Sequence, residues 1–384
     1  MNATLFTKML SDKNITDFQK MQYKYSEADF FEFISLLKDN MYKSLPLKDF
    51  NGNNLVYLEN IAQIELNSIK LLLIPQSGQY GIKAMEDEIY STFDIENIES
   101  SRDSIRKILG GYAPINNSEN QIYCMKKGLD FILENDITEK NLSKLYKIAV
   151  EDYLDDENKR INNNLYRHDD VFIVGGDVEH KGIHHSKLPE YMTNLIDFIN
   201  SNDGMNDLVK SAIIHFYFSY LHPYFDGNGR TARLLHLWYL IKQGYSSAMF
   251  IPISAYINKS QKKYYDAYTL IEKNLKIGKI VDTTPFITYF IGNVYNKLKN
   301  PDNDIIETKD FQTALDNGKI TEKERDLWNF VLSAYGKSEF STKQLEKDFG
   351  NAAYATIRKF VFKFKSLNLI TEQKYGNRTK YHIC

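Results

Sequence analysis

Residues 208–240 hold more apolar side chains than one face of a surface helix can use. A polar stretch at 222–233, HPYFDGNGRTAR, interrupts them. An unbroken run of that length would suit a membrane span, but His, Asp, Asn and Arg inside it exclude one. The arrangement left is two buried helices joined through a glycine-rich loop, a helical core with polar chemistry at its joint.

The rest of the chain agrees with a mainly α fold. Only 8 prolines break its 384 residues. Apolar residues at three- and four-residue spacings predict amphipathic helices over 29–42 and 55–74, followed by a loop at 75–81 (PQSGQYG). Further helices are expected over 82–90, 98–109, 120–135 and 141–153, then 189–200, 207–220, 230–243 and 260–274. The clear β signal in the middle is 170–185, DVFIVGGDVEHKGIHH, where an apolar run meets Gly175-Gly176-Asp177 as a hairpin requires. No repeat or low-complexity tract is present.

With 43% hydrophobic and 26% charged residues, disordered and fibrous classes are excluded. The balance of 48 basic against 50 acidic residues gives no overall field for nucleic acid. Two cysteines, Cys124 and Cys384, cannot build a disulfide framework or a four-thiolate zinc site. The opening MNATLFTKMLSDKN lacks a secretory pattern, so the expectation is a cytoplasmic protein with no membrane partner.

Charge is nevertheless segregated. After a composition shift at 300–304, the pattern reads helix (322–334), helix (342–349), helix (353–367), then a strand pair (369–375, 380–383), the plan of a winged helix. Residues 341–384 carry nine Lys/Arg against three Asp/Glu, a local excess of +6. Three readings stay open for this module. One is DNA binding through Arg358, Lys359, Lys363, Lys365, Lys374, Arg378 and Lys380; the others are a protein-binding or dimerising surface, and a solvated basic face.

The joint carries the chemistry. Gly227, Asn228 and Gly229 allow a sharp turn and expose backbone N–H groups where the next helix begins, an anion cradle. Arg230 and Arg233, three apart in the first turns, suit a polyphosphate better than a lone phosphate. Asp226 would repel phosphate unless a cation stood between them, which points to Mg2+. His222, at the other end of the loop, is the group with a pKa suited to general-base work.

The segment resembles the Fic signature HPFx(D/E)GNGRxxR, with Tyr224 in place of the usual Phe and its ring expected to pack inward. The resemblance implies a helical Fic core that transfers AMP from ATP to a hydroxyl of a target protein. By it, His222 deprotonates the hydroxyl and Asp226 holds Mg2+ bridging the α- and β-phosphates. Gly227, Asn228 and Gly229, with neighbouring Thr231, line the phosphates, and Arg230 and Arg233 clamp the β and γ groups. Gly229 leaves room for the polyphosphate, which favours nucleotidyl over phosphoryl transfer.

Three other segments fit the resemblance. The hairpin at 171–185 stands where the family keeps a flap that binds an extended target by β-augmentation. Its His180, His184 and His185 read as surface residues, because no carboxylate–His ligand spacing accompanies them. Tyr264 and Tyr265 stand where a tyrosine pair lines the nucleotide pocket, although a core role fits them as well. Thr92-Phe93-Asp94-Ile95-Glu96-Asn97 matches the inhibitory motif (S/T)xxxE(G/N), so Thr92, Glu96 and Asn97 are implied to lock the site through Glu96 and Arg233. Without the resemblance, Thr92 would be only a helix cap.

The expected architecture is therefore an N-terminal helical region (1–80), a Fic domain with the inhibitory helix and flap (81–300), and a winged-helix-like domain (305–384). The expected activity is autoinhibited protein adenylylation using ATP and Mg2+, with removal of AMP by the same site left open. Targets are another protein or the chain itself, and a homodimer surface fits residues 1–80. The alternatives are transfer of UMP or another phosphate-containing group, and a non-catalytic ATP-sensing DNA-binding regulator.

Overall fold

The computed structural model describes residues 1–61, 64, 82–161, 164–175, 178–245, 248, 251–298, 314, 317–335, 339–349, 352–376 and 378–383. The chain is mainly helical, and the described residues include three short antiparallel hairpins. Three N-terminal helices, α1 (Ala3–Leu10), α2 (Phe18–Lys24) and α3 (Glu27–Asn40), are capped by Asn2, Asp17 and Ser26. They share a small core that leans on Ile277 and Ile280 of the central region.

One expectation fails here. Residues 54–61 do not begin a helix: β1 (Tyr42–Lys48) pairs with β2 (Asn54–Leu58), followed by a short 3-10 turn. The local chemistry is that of a hairpin. Asp49 Oδ1 accepts the amides of Asn51 and Asn53, and Gly52 takes φ 86° at the turn. Leu55 and Tyr57 are buried while Val56 between them is less so, a period of two that the apolar spacing concealed. The remainder of the expected 55–74 helix, apart from Ile64, lies outside the described residues, as do the expected loop at 75–81 and the composition shift at 300–304.

The central region contains α4 (Ile82–Ile95), α5 (Arg102–Leu109), α6 (Asn117–Glu134) and α7 (Glu139–Ala149). The hairpin β3 (Phe172–Gly175) and β4 (Val178–Lys181) follows, then α8 (Leu188–Asn200), α9 (Asp207–Leu221) and α10 (Asn228–Lys242). Three helices complete it: α11 (Ile253–Lys259), α12 (Gln261–Gly278) and α13 (Thr284–Asn293). α9 and α10 pack together and are buried nearly all round, as helices apolar on every face must be. Around them one hydrophobic core runs from Leu45 to Leu298. Asn274 of α12 fixes the N-terminal helices, accepting from the Phe18 amide and donating to the Thr16 carbonyl.

A separate core unites α14 (Glu322–Ala334), α15 (Thr342–Phe349), α16 (Tyr354–Ser366) and the hairpin β5 (Ile370–Tyr375)–β6 (Arg378–Ile383). Three of its basic side chains already hold acidic partners: Lys363 pairs with Glu324, Lys365 with Glu372 and Lys380 with Glu339. No helix among the described residues is long and apolar enough to cross a membrane.

Candidate active site

α9 ends at His222, which takes φ 52° and gives its amide to Phe218 O, so the helix closes on a left-handed residue. Pro223 then prevents any continuation. Four residues on, Gly227 adopts φ 76° directly before α10, and a Cβ there would collide with Val150. Only glycine satisfies both demands. No side chain among the described residues caps α10, so its first amides face the loop.

Asn228 braces the turn. Its Oδ1 accepts from the Tyr224 amide at 3.0 Å and its Nδ2 donates to the Tyr224 carbonyl at 2.8 Å. With both polar atoms engaged, its side chain serves the loop's shape. The Tyr224 ring does pack inward: it is fully buried and stacks on Tyr146, with centroids 3.5 Å apart and planes 9° from parallel. Tyr146 in turn donates to the Asp226 carbonyl. Arg160 lies over both rings and forms a bidentate pair with Glu151. Burial pushes the Glu151 carboxyl upward, but the Arg160 bonds outweigh it and its pKa stands below the ordinary value.

Arg230 and Arg233 are both buried yet answer to different partners. Arg230 donates to Asp226 Oδ2 at 2.9 Å and to the Tyr153 hydroxyl, and its Nε is buried without a partner among the described residues. Asp226 remains 46% exposed at the rim. Arg233 donates from Nε to Thr92 Oγ1 and from Nη2 to Glu96 Oε1, each at 2.6 Å. Thr231 turns its hydroxyl back to the Gly227 carbonyl.

The Thr92–Asn97 segment ends α4 rather than starting a helix, so Thr92 is not an N-cap. Ile98 N donates to Phe93 O and Asn97 N to Asp94 O, with Asn97 at φ 55°. This is a Schellman termination, and it explains why the last motif position accepts Asn or Gly. It also places Glu96, the residue before the left-handed one, against Gly229: a Cβ built on Gly229 would collide with Glu96 Oε1. The helix is held from outside as well. Glu88 accepts from the Ser254 amide and hydroxyl at the start of α11, and Asn258 and Gln261 donate to Asp94 and the Ile95 carbonyl. Burial pushes the Glu88 carboxyl up, against the Ser254 bonds.

Fully buried Arg167 links hairpin to loop. It donates to the carbonyls of His222, Asp169 and Ile183, and its own amide bonds Pro223 O. β3 and β4 pair from Phe172↔Lys181 to Gly175↔Val178. Tyr264 is 3% exposed and hydrogen-bonded to His215 and Tyr268, whereas Tyr265 is 46% exposed. Of the two, Tyr265 has surface to offer a ligand.

The structure thus gathers His222, Asp226–Arg230, Arg233, Thr92 and Glu96 around one loop. Sequence reading missed the supports: Tyr146, Tyr153, Arg160, Arg167 and Glu88. Each is brought to the loop by folding from a distant part of the chain, and nothing in its sequence neighbourhood marks it out.

The fold is mainly helical, and residues 136–240, which include this loop, match the Fic/DOC family model. The chain is 25% identical over 148 residues to protein adenylyltransferase fic-1 of Caenorhabditis briggsae, covering 35% of this chain and 27% of that one. It is 27% identical over 115 residues to a probable protein adenylyltransferase of Aquifex aeolicus, covering 29% and 36%. The matched stretch is therefore about a quarter to a third of the relatives' length. Among solved structures, a Fic family protein from Desulfovibrio desulfuricans G20 aligns with TM-score 0.49 at 18% identity, covering 79% of this chain and 86% of that one.

Proposed function

We propose that the chain is a protein adenylyltransferase whose Glu96 holds the nucleotide site shut until it is displaced. The observation that carries this reading is the pairing of Arg233, the second arginine of the loop's signature, with Glu96 and Thr92 directly above Gly229. A catalytic site with a built-in carboxylate on its polyphosphate clamp suits an enzyme that needs restraint.

The residues suit a nucleoside triphosphate. The free amides at the start of α10 and the unsatisfied buried Arg230 Nε supply donors where phosphate oxygens would lie. Asp226 offers one hard oxygen donor at a half-open rim, leaving the other positions to water and phosphate, which is how Mg2+ usually binds. When bound, Mg2+ would neutralise polyphosphate charge. His222 would take the proton of the target hydroxyl, whose oxygen attacks the α-phosphorus as the bond to pyrophosphate breaks. Arg167 would keep the His222 backbone in its left-handed turn. The paired strands β3 and β4 would present an edge to the target. Tyr265 would face the base.

The remaining parts of the reading follow the same lines. Thr92 and the left-handed Asn97 would present Glu96, and Thr231 would hold the Gly227 carbonyl. The C-terminal helices and hairpin would form a winged helix binding DNA or protein, with Arg358, Lys359, Lys374 and Arg378 as its basic contacts. Residues 1–80 would give a homodimer surface, self-modification would accompany target modification, and the protein would act in the cytoplasm. Comparing α-labelled with γ-labelled ATP, and both with UTP and CTP, tests the reaction class. Protein-bound label from the α position of ATP alone is the expected result. Label from the γ position would mean phosphoryl transfer, and preference for UTP would mean uridylyl transfer.

A further inference from the structure

Both ends of the β3–β4 hairpin converge on one cluster. Asp170 stands just before β3, and His184 and His185 stand just after β4. One ligand atom from each of the three lies within 4.8 Å of the other two. His184 caps and His185 opens a short 3-10 turn (His185–Lys187) that follows the hairpin. Here their rings lie together, centroids 4.3 Å apart and planes 30° from parallel. His185 Nδ1 is 3.4 Å from Asp170 Oδ1, and the Nδ1 of His184 is 2.8 Å from Ser186 Oγ.

We propose that Asp170, His184 and His185 form a site for a borderline divalent metal ion, Zn2+ in the first instance, which clasps the two ends of the hairpin. Two imidazoles and a carboxylate are the three-ligand set of an open tetrahedral zinc site, with water in the fourth place. Imidazole selects this group of metals over Mg2+ and Ca2+, so the site is chemically distinct from Asp226. Tetrahedral bonds of about 2.1 Å place ligand atoms about 3.4 Å apart. The widest separation in the cluster therefore closes by at most about 1.4 Å, and partly exposed to exposed side chains have the freedom to do so.

The charges around Asp170 bear on affinity. Lys181 Nζ sits 3.1 Å from Asp170 Oδ2 and Arg167 Nη1 sits 3.9 Å from Oδ1. Lys181 is 55% exposed and can swing away as the metal arrives; Arg167 is fully buried and stays. Asp169, whose carboxylate accepts the Asp170 amide, returns negative charge to the site. His184 Nδ1 accepts the Ser186 amide at 3.3 Å, so this nitrogen carries a lone pair here and would release Ser186 to bind the metal.

The test uses the metal-stripped full chain and Zn2+ alone, with bound metal counted after equilibrium dialysis. Wild type, Asp170→Asn, His184→Gln/His185→Gln and Asp226→Ala are compared, each checked for fold by circular dichroism. One equivalent is expected in wild type and Asp226→Ala, with affinity at least tenfold weaker in the other two. Co2+ substituted for Zn2+ should show an intense visible band in wild type that both flap variants lose. Hydrogen exchange across 170–185 should slow on adding Zn2+ to wild type only. Asp170→Asn changes the least and decides the matter even if the double variant fails to fold. Zn2+ binding that is undiminished in Asp170→Asn, that is lost in Asp226→Ala, or that is absent from wild type overturns the proposal.

Discussion

Arg233 and Glu96 are joined by a 2.6 Å charge-assisted hydrogen bond, with the arginine side chain 2% exposed and the carboxylate 24%. The pair bridges the start of α10 and the end of α4, and both backbones are fixed independently of it. α10 is held by Gly227 against Val150, and α4 by Glu88 against Ser254. Two rigid supports hold the contact in place, and small substitutions can change its strength.

Gly229→Ala should strain that contact. The added Cβ meets Glu96 Oε1 and lies 3.2 Å from Arg233 Nη1. Overpacking of this kind costs about 1–3 kcal/mol. In a Glu96→Gly background the main obstacle is gone, so the loss of thermal stability should shrink. A double-mutant cycle from melting curves measures the coupling; equal losses in both backgrounds would separate Gly229 from Glu96.

Arg160 should matter to the loop although it touches neither Arg230 nor Arg233 through any described hydrogen bond. Arg160→Ala leaves the buried Glu151 without its cation, keeping only the residue-160 backbone amide, at a cost of up to about 3–5 kcal/mol, and removes the cation over the Tyr146–Tyr224 stack. Arg160→Lys should recover little, because lysine cannot reproduce the bidentate pair. Melting temperatures of the two variants check this, and full recovery by lysine would contradict it.

His215 and His236 are fully buried beside Tyr264 and Tyr295, and desolvation lowers the pKa of both. For His236 the folded value falls from 6.5 to about 3. A depressed folded pKa gives stability that is complete above the unfolded value and is lost as pH falls toward the folded one. The affected window is pH 6.5 to 3, and at pH 5 the loss from His236 is about 2 kcal/mol. With carbon-labelled histidine, two of the 8 imidazole signals should not titrate between pH 8 and 5. Titration of all eight near 6.5 would show these two to be solvated.

Legibility in the sequence followed the range of the forces involved. The 222–233 loop was readable because its turn, helix start and charges are set by neighbours along the chain. Glu96 was readable only through resemblance: its partner is 137 residues away, and no local pattern announces the contact. Arg167 and Arg160 gave no sign, since they act through carbonyls and rings brought near by folding. The β1–β2 hairpin was misread because Leu55 and Leu58 fit a helical spacing, and the Asn51-Gly52 turn ahead of them is the stronger local signal. The flap histidines have no carboxylate at ligand spacing in the sequence, and the carboxylate that stands near them, Asp170, comes from the other end of the hairpin.

The most direct test of the account is transfer of label from α-labelled ATP with Mg2+, measured on wild type, Glu96→Gly and His222→Ala, each alone and with cell lysate. Removing a buried Arg–carboxylate contact of this kind should raise transfer at least about tenfold, since 1.4 kcal/mol is a factor of ten. The predicted result is strong labelling by Glu96→Gly, weak labelling by wild type and none by His222→Ala. Equal labelling by wild type and Glu96→Gly would contradict the lock, and labelling that survives in His222→Ala would contradict the assigned base.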